Sequence, residues 1–324
     1  MKAVVFTKYG PPEVLQLIEV EKPAPKADEV LVRVRAASVN AADWRMVSAD
    51  PFLVRFYSGL LRPKKITCPG ADVAGVVEAV GSDVTRFKPG DEVFGDVFES
   101  GMGGFAEYKC AHENELVLKP ANVTFDEAAA VPLACMTALH ALRDVGQVRA
   151  GQSVLINGAS GGVGTFAIQL AKYFGAEVTA VCSTKKAEQA RALGADHVID
   201  YMREDFTLGG KRYDLIVAVN GYHSIFDYRL TLAPEGRYAM IGGGSAQLFQ
   251  ALLLGPLLSL AGGRKMLTVS SKPNQQDLLF LKELLGSGKI KPVIDRRYPL
   301  SELPDAIRYV EAGHAGGKVV ITMA

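Results

Sequence analysis

The run Ser153-Val154-Leu155-Ile156-Asn157 leads directly into Gly158-Ala159-Ser160-Gly161-Gly162-Val163-Gly164, and this junction decides the fold of the second half of the chain. The apolar run is typical of a buried strand, and the residues after it place six apolar side chains on one helical face: Val163, Phe166, Ala167, Leu170, Ala171 and Phe174. A strand, a glycine turn and a helix together suit a pyrophosphate, because glycine permits close backbone approach and the helix N-terminus offers free N–H groups. The alternative is a glycine-rich turn without a ligand, since Ala159 departs from the strict Gly-x-Gly-x-x-Gly spacing.

The segments around this junction alternate between strand and helix. Apolar runs that read as buried parallel strands are Glu177 to Cys182, His197 to Ile199, Tyr213 to Val219 and Arg237 to Ile241. This alternation predicts an α/β fold with a doubly wound parallel sheet. The alanine-rich segment Phe125 to Leu142, which precedes it, is helical in tendency.

The first 120 residues read differently, as short strands separated by turns. Alternation is clearest in Glu29 to Ser38, where Val30, Val32 and Val34 share one face. This half is therefore predicted to be a β-rich domain. The tail after residue 268 includes a predicted strand at Lys318 to Thr322 and has too few residues for a core of its own, so we expect it to pack on the first domain.

Composition restricts the possible partners and the compartment. The 324 residues suffice for about two domains, and the formal charge of +1 provides no broad field for nucleic acid or an anionic membrane. The longest apolar stretch, Leu248 to Ala261, is shorter than the roughly 20 residues of a membrane span. Four scattered cysteines predict neither a structural zinc nor a disulfide scaffold. Met1 to Gly10 lacks the features of a secretory signal, so we expect a cytoplasmic protein.

The choice of cofactor can be read at the end of the second predicted strand. An NAD enzyme normally carries an acidic residue there for the ribose hydroxyls, whereas this chain has Cys182-Ser183-Thr184-Lys185-Lys186. Hydroxyl and ammonium groups suit a 2′-phosphate, so we expect NADP (NADPH) as the cofactor. The alternative is that Lys185 and Lys186 form only the solvated first turn of a helix, where the helix dipole disfavours cations.

Several motifs together resemble the medium-chain dehydrogenase/reductase superfamily, in its zinc-free quinone oxidoreductase and enone reductase branch. The resemblance spans nearly the whole chain. It rests on Ala37-Ser38-Val39-Asn40 with Asp43, on Pro69 to Val77, on Lys88-Pro89-Gly90-Asp91-Glu92-Val93, on Gly158 to Gly164, on Leu193-Gly194-Ala195-Asp196, and on Gly313-His314-Ala315 with Gly317-Lys318-Val319-Val320. The set is specific, although each motif alone is not.

The resemblance implies a GroES-like catalytic domain at residues 1–122, completed by 268–324, and a Rossmann NADP-binding domain at 123–267. It also implies an active cleft at their junction and a homodimer. Asn40 and Asp43 would lie in the catalytic loop, where Asn40 could donate its amide to the substrate carbonyl and Asp43 would orient the loop. From the residues alone, an Asx-type turn that closes the preceding strand is the alternative reading of this pair.

The family pattern also assigns the residues that hold the cofactor. Thr137 is expected on the nicotinamide side, Ser160, Gly161, Gly162 and Val163 at the pyrophosphate, and Ser183, Lys186 and Tyr201 at the 2′-phosphate. Asn220, Gly242 and Gly243 end strands at the same carboxyl edge of the sheet. Relatives often read Gly-His-Ala-Arg-Gly-Lys in the tail, and here Gly316 replaces the arginine while Lys318 remains as a basic group for phosphate.

The departures from the family concern zinc. Zinc-binding relatives carry Cys where this chain has Asn40, and a His-Glu pair where it has Ala71-Asp72. A zinc site needs three protein ligands of the Cys, His or carboxylate kind, so we expect no metal.

Without zinc as a Lewis acid, acceptors that spread the incoming charge are favoured. The predicted activity is therefore hydride transfer from NADPH to a quinone or an α,β-unsaturated carbonyl. The alternatives are a zinc-free alcohol or aldehyde oxidoreductase and, in another class, a non-catalytic NADPH-binding sensor or RNA-associated protein.

Overall fold

The structure is a computed structural model that describes residues 1–260 and 262–323. The chain divides into two compact units: Met1–Ala134 with Pro273–Ala324, and Cys135–Lys272. Both boundaries fall somewhat later in the chain than the predicted 122 and 267. Ala261 and Ala324, which end two of the segments named above, lie outside the described residues.

Most of the β-strands are short, and the longest is β3 (Glu29–Val39) in the first unit. They are β1 (Lys2–Val5), β2 (Gln16–Glu19), β3 (Glu29–Val39), β4 (Asp72–Val80), β5 (Glu92–Asp96), β6 (Tyr108–His112), β7 (Leu116–Leu118), β8 (Ser153–Asn157), β9 (Glu177–Cys182), β10 (His197–Asp200), β11 (Tyr213–Ala218), β12 (Leu232–Met240), β13 (Lys265–Thr268), β14 (Ile294–Pro299) and β15 (Lys318–Thr322).

The α-helices are concentrated in the second half of the chain. They are α1 (Ala41–Ser48), α2 (Val54–Ser58), α3 (Phe125–Ala129), α4 (Pro132–Leu139), α5 (Gly162–Tyr173), α6 (Ala187–Ala192), α7 (Ile225–Thr231), α8 (Ser245–Leu258), α9 (Gln275–Gly286) and α10 (Leu303–Glu311). No helix among the described residues is long and apolar enough to cross a membrane.

In the first unit, β3 is the central strand of a mixed sheet in the order β14-β15-β3-β4-β5-β7, and β6 also pairs with β3. Its alternating valines are buried as expected, with Val30 and Val32 fully inaccessible. β15 pairs antiparallel with β3. The C-terminal tail therefore completes the first unit, because its last strand is inserted beside the central one.

In the second unit, the strands form a fully parallel sheet in the order β10-β9-β8-β11-β12-β13. Counted from β8, this is the order 3-2-1-4-5-6 of a Rossmann sheet, whose crossovers reverse direction between β8 and β11. The predicted α/β class is confirmed. The carboxyl ends of β8 and β11 are the place where such sheets receive ligands.

Two glycines allow the chain to turn after β8. Gly158 has a φ of +85°, and a Cβ there would lie 2.7 Å from the backbone nitrogen of Asn220. A Cβ on Gly164 would lie 2.2 Å from the carbonyl oxygen of Gly158. Gly158 is thus required by its positive φ and by the close approach of Asn220, and Gly164 by the close approach of the turn to the first residues of α5, independently of any ligand.

Candidate active site

Asp72 is the hub of a buried polar network in the first unit. It begins β4 and is fully inaccessible to solvent. One carboxylate oxygen accepts hydrogen bonds from Ser38 Oγ at 2.6 Å, Asn40 Nδ2 at 2.8 Å and Lys318 Nζ at 3.3 Å. The other accepts one from the backbone nitrogen of Leu133 at 2.8 Å. This set of donors supplies the compensation that a buried carboxylate needs.

The register of the sheet brings these residues together. Ser38 on β3 lies opposite Asp72 on β4, and Asp72 lies opposite Asp96 on β5. Val39 on β3 lies opposite Val319 on β15. The next residues along these antiparallel strands, Asn40 and Lys318, therefore adjoin. Residues far apart in the sequence form one cluster because four strands are aligned in this way.

Lys318 occupies a different place from the one predicted. Its side chain is 3% exposed, and its ammonium donates to the side-chain oxygen of Asn40 as well as to Asp72. These contacts do not favour the predicted phosphate contact, because β15 lies between β3 and β14 in the sheet and its position directs the ammonium into the network instead of toward solvent.

Asn40 also differs from its predicted role as a hydrogen-bond donor to the substrate. Its amide nitrogen donates to Asp72 and, at 3.3 Å, to the carbonyl oxygen of Ser38, while its amide oxygen accepts from Lys318. Because a side-chain amide has two N–H groups, both are engaged within the network. The acceptors on one side and the ammonium on the other fix the orientation of the amide.

Asp43 holds the loop that leads from β3 into α1. Its two carboxylate oxygens accept from the backbone nitrogens of Asn40 at 2.7 Å and Gly70 at 2.8 Å. Asn40 is the N-cap of α1, and Asp43 at the third helical position accepts from the backbone N–H of the cap, which supports the loop-orienting reading. Burial raises the pKa of Asp43 to about 7, although both N–H groups oppose the rise.

Asp96 adds a second buried carboxyl next to Asp72. It is 3% exposed and accepts from the backbone nitrogen of Phe98 at 2.9 Å. Burial, and then the charge of Asp72, raise the pKa of Asp96 well above its usual range.

Sequence reasoning did not assign Ser38, Asp72 or Asp96 to the site. An acidic residue at the head of the apolar run Asp72-Val73-Ala74 was the available signal. A carboxylate in a buried strand requires a buried partner. The position of Asp72 therefore indicates a polar cluster, but it does not identify the other residues of that cluster.

In the second unit, the predicted nucleotide residues follow the carboxyl ends of β8, β11 and β12. The backbone nitrogen of Asn220 donates to the carbonyl oxygen of Asn157 at 3.2 Å, which holds the two strand ends together at the reversal point of the sheet. A Cβ on Gly242 would lie 2.7 Å from the carbonyl oxygen of Val219. Gly243 has a φ of +124°. Thr137 is buried within α4.

The N-terminus of α5 has the properties of a phosphate cradle. Ser160, Gly161, Gly162 and Val163 are half-buried, and no side chain caps the helix. Gly161 has an ordinary φ of −79°, and a Cβ there would meet only the carbonyl oxygen of Gly158 at 3.8 Å. Neither conformation nor packing requires glycine at 161, so the open space above its backbone is the feature that fits a pyrophosphate.

The end of β9 brings the three predicted 2′-phosphate residues into one region. Ser183 follows the strand, Lys186 donates its backbone N–H to the carbonyl oxygen of Ser183 at 2.9 Å, and the backbone nitrogen of Tyr201 donates to Cys182 at 3.1 Å. Asp200 is the nearby acidic group. It accepts from the Thr184 hydroxyl at 2.5 Å, which lowers the pKa of Asp200. Asp200 therefore stabilises the turn that follows β9.

The residues at the family's zinc position do not fit a zinc ion. Ala71 has no donor atom, and Asn40 offers an amide oxygen that already accepts from the ammonium of Lys318. Asp72 is the only carboxylate among these three residues, and the same ammonium bonds it. Zinc sites in proteins use three or four Cys, His or carboxylate ligands, and here the side-chain oxygens of both Asn40 and Asp72 bond the Lys318 ammonium instead.

A Rossmann sheet with an open glycine turn, joined in one chain to a β-rich unit with a buried polar network, defines a dinucleotide-dependent oxidoreductase of the two-domain kind. Residues 26–121 match the family described as alcohol dehydrogenase GroES-like domain, and residues 193–321 match the family described as zinc-binding dehydrogenase.

Known proteins resemble the chain over its whole length. The chloroplast envelope quinone oxidoreductase homolog of Arabidopsis thaliana is 35% identical, over 99% of this chain and 98% of its own. The NADPH-dependent alkenal/one oxidoreductase of Arabidopsis thaliana is 36% identical, over 99% of this chain and 79% of its own. The structure of the quinone oxidoreductase from Coxiella burnetii superposes with a TM-score of 0.90 at 31% identity, covering 100% of this chain and 99% of that one.

The chain therefore belongs to the quinone oxidoreductase and enone reductase branch of the medium-chain dehydrogenase/reductase superfamily, as its motifs indicated.

Proposed function

We propose that this protein is a zinc-independent oxidoreductase that uses NADPH to reduce a quinone or an α,β-unsaturated carbonyl. The observation that carries the proposal is the replacement of the metal ligands: Asn40, Ala71 and Asp72 stand at the zinc position, and an ammonium bonds two of them. Relatives of similar length that are named for quinone or alkenal/one reduction support the same acceptor class.

The acceptor class follows from the charge that hydride transfer creates. A simple ketone becomes an alkoxide, whose localised charge a metal ion stabilises efficiently. A quinone or an enone spreads that charge over a conjugated system, so fixed hydrogen-bond donors and dipoles suffice. The buried network of the first unit fixes the loop that carries Asn40 and Asp43, because each of its members is held by at least one hydrogen bond shorter than 3 Å or by the Lys318 ammonium.

The proposed cofactor residues lie in the second unit. Backbone N–H groups from Ser160 to Val163 would bind the pyrophosphate at the N-terminus of α5. Ser183, Lys186 and Tyr201 would bind the 2′-phosphate, and an ammonium close to a dianion favours NADPH over NADH. When bound, NADPH supplies a hydride from C4 of its nicotinamide, and solvent supplies the proton that completes the reduced product.

We further propose that Thr137, Asn220, Gly242 and Gly243 line the remainder of the cofactor path. Asn40 and Asp43 shape the catalytic loop of the first unit. Because both N–H groups of the Asn40 amide are engaged, Asn40 and Asp43 act as positioning residues for that loop. The cytoplasmic location and the homodimer predicted from the sequence stay predictions.

The test is NADPH oxidation by protein that has been treated with a chelator and checked for metal by elemental analysis. The acceptors are a quinone, an enal, an enone, a simple aldehyde and a simple ketone, and alcohols with NADP⁺ are run in the reverse direction. We expect turnover with the conjugated acceptors only. Turnover limited to alcohols and simple carbonyls would instead support the alcohol or aldehyde oxidoreductase. NADPH binding without any turnover would support the sensor.

A further inference from the structure

We propose that the Lys318 ammonium is the fixed cation of this active site, in the place that a metal ion takes in zinc-binding relatives, and that it positions Asn40 and Asp72 for the reaction. The inference rests on the proposed function and adds a residue to it. Lys318 acts through the two side chains that it bonds, so it is a positioning residue and not a cofactor contact.

The first observation is convergence. Asn40 and Asp72 stand where zinc-binding relatives carry a Cys and the Glu of a His-Glu pair, and Lys318 Nζ donates to a side-chain oxygen of each. Asn40 is 6% exposed and Asp72 is fully buried. A single ammonium thus bonds Asn40, which stands at one metal-ligand position of those relatives, and Asp72, which is adjacent in sequence to the other, Ala71.

The second observation is a close backbone contact that fixes the start of the strand that carries Lys318. Gly317, the residue before it, leads into β15, and a Cβ there would lie 2.3 Å from the carbonyl oxygen of Val293. Lys318 itself donates its backbone N–H to the same carbonyl at 2.7 Å. The approach of the two segments is therefore too close for any side chain at 317, and it fixes the start of the strand that carries the ammonium.

The third observation concerns what the ammonium holds. The amide oxygen of Asn40 accepts from Lys318, and this contact directs the amide N–H groups toward Asp72 and Ser38. Without the cation, the amide loses the partner that defines its orientation. The loop from β3 into α1 then keeps the contacts of Asp43 and the amide N–H bonds of Asn40, without the cation that fixes the amide oxygen.

Charge leads to the same conclusion. Asp43 and Asp96 lie near Asp72, and the charge of Asp72 contributes to the raised pKa of both. Lys318 is the cation that bonds Asp72. With the ammonium removed, a buried negative charge would oppose the negative charge that hydride transfer places on the acceptor.

The experiment uses the full-length chain with Lys318→Met, which removes the charge, and with Lys318→Met combined with Asp72→Asn, which removes the pair. The matched control is Lys119→Met. Lys119 is another buried lysine of the first unit, 4% exposed and paired with Glu92, and its contacts do not include the network. Measurements are kcat, KM and the dissociation constant for NADPH, and the urea midpoint of unfolding.

We expect Lys318→Met to unfold at lower urea and the double variant to recover most of that loss, because no unpaired charge remains. We expect the kcat of both to fall about 10- to 100-fold, the range typical of a mispositioned active-site group. The NADPH dissociation constant should stay within about twofold of the parent, since the ammonium bonds side chains and no phosphate. Lys119→Met should keep the parent kcat.

Three results would overturn the proposal. If Lys318→Met greatly raises the NADPH dissociation constant and changes kcat little, Lys318 contacts a phosphate of the cofactor instead. If the double variant recovers the kcat of the parent, Lys318 only neutralises the charge of Asp72 and does not position Asn40. A third readout needs no turnover and therefore stands even if the proposed reaction is wrong. The side-chain amide signals of Asn40, identified by their loss in Asn40→Ser, should shift in Lys318→Met and not in Lys119→Met. Unshifted signals would refute the positioning role.

Discussion

Replacing Asp43 with Asn tests the electrostatics of the loop from β3 into α1, because Asp43 is fully buried and its hydrogen-bond partners among the described residues are two backbone N–H groups. Burial raises its pKa from 3.8 to about 7 in the folded protein. A carboxyl whose pKa is raised by folding holds its proton more tightly in the native state. Its contribution to stability is therefore greatest in acid and is lost as the pH rises toward 7.

The size of this effect follows from the shift. About 3 pH units at about 1.4 kcal/mol each give about 4 kcal/mol in total, of which about 2.5 kcal/mol is lost between pH 5 and pH 8. A side-chain amide does not titrate, so Asp43→Asn avoids this loss. The variant instead leaves one N–H, of Asn40 or Gly70, facing an amide nitrogen, at a cost of about 1–3 kcal/mol at every pH.

The assay is urea unfolding of the parent and Asp43→Asn at pH 5, 6, 7 and 8. Because the two proteins share all other titrating groups, the difference between their free energies of unfolding isolates Asp43. We expect the variant to gain about 2.5 kcal/mol relative to the parent over this range. A difference that stays constant within about 0.5 kcal/mol, or that changes in the opposite direction, would show that the buried carboxyl does not titrate near pH 7.

Four further predictions concern the glycine turn after β8, the cofactor and the metal. Gly161→Ala should change the free energy of unfolding by less than about 1 kcal/mol, because a Cβ there meets nothing closer than 3.8 Å. The same variant should raise the KM for NADPH, and an unchanged KM would show that the pyrophosphate does not bind at this turn. Its counterpart Gly164→Ala should destabilise the fold by at least about 2 kcal/mol, since its Cβ would lie 2.2 Å from a carbonyl oxygen. Lys186→Glu should raise the KM for NADPH at least about tenfold and that for NADH far less, with exposed Lys185→Glu as the matched control; equal effects on both cofactors would contradict the NADPH assignment. Chelator treatment should leave the rate with an enone unchanged, and loss of activity that zinc restores would contradict the metal-free site.

The second unit could be predicted well from the sequence because its signals are local. The strand Ser153–Asn157 and the start of α5 follow from an apolar run, a glycine turn and a helical face within one short segment. The helical tendency of Phe125 to Leu142 is confirmed, although the segment is not one continuous helix. It is divided into α3, α4 and a π-helical turn at His140–Val145, because Pro132 lacks an N–H and begins a new helix.

The network of the first unit could not be predicted in the same way. Its members Ser38, Asp72 and Lys318 meet through strand register, and register joins segments that local periodicity treats separately. The partners of Lys318 could not be read from the sequence for the same reason, because they depend on the pairing of β15 with β3. Asn40 was placed in the correct loop, but its hydrogen-bond partners depend on the same pairing.

The most direct test of the account is the steady-state rate of NADPH oxidation by metal-free protein, with an enone or a quinone compared against a simple ketone at equal concentration. The account predicts turnover with the conjugated acceptor, a preference for NADPH over NADH, and no measurable turnover of the ketone. Turnover of the ketone that depends on added zinc, with the enone and the quinone left unreduced, would contradict it.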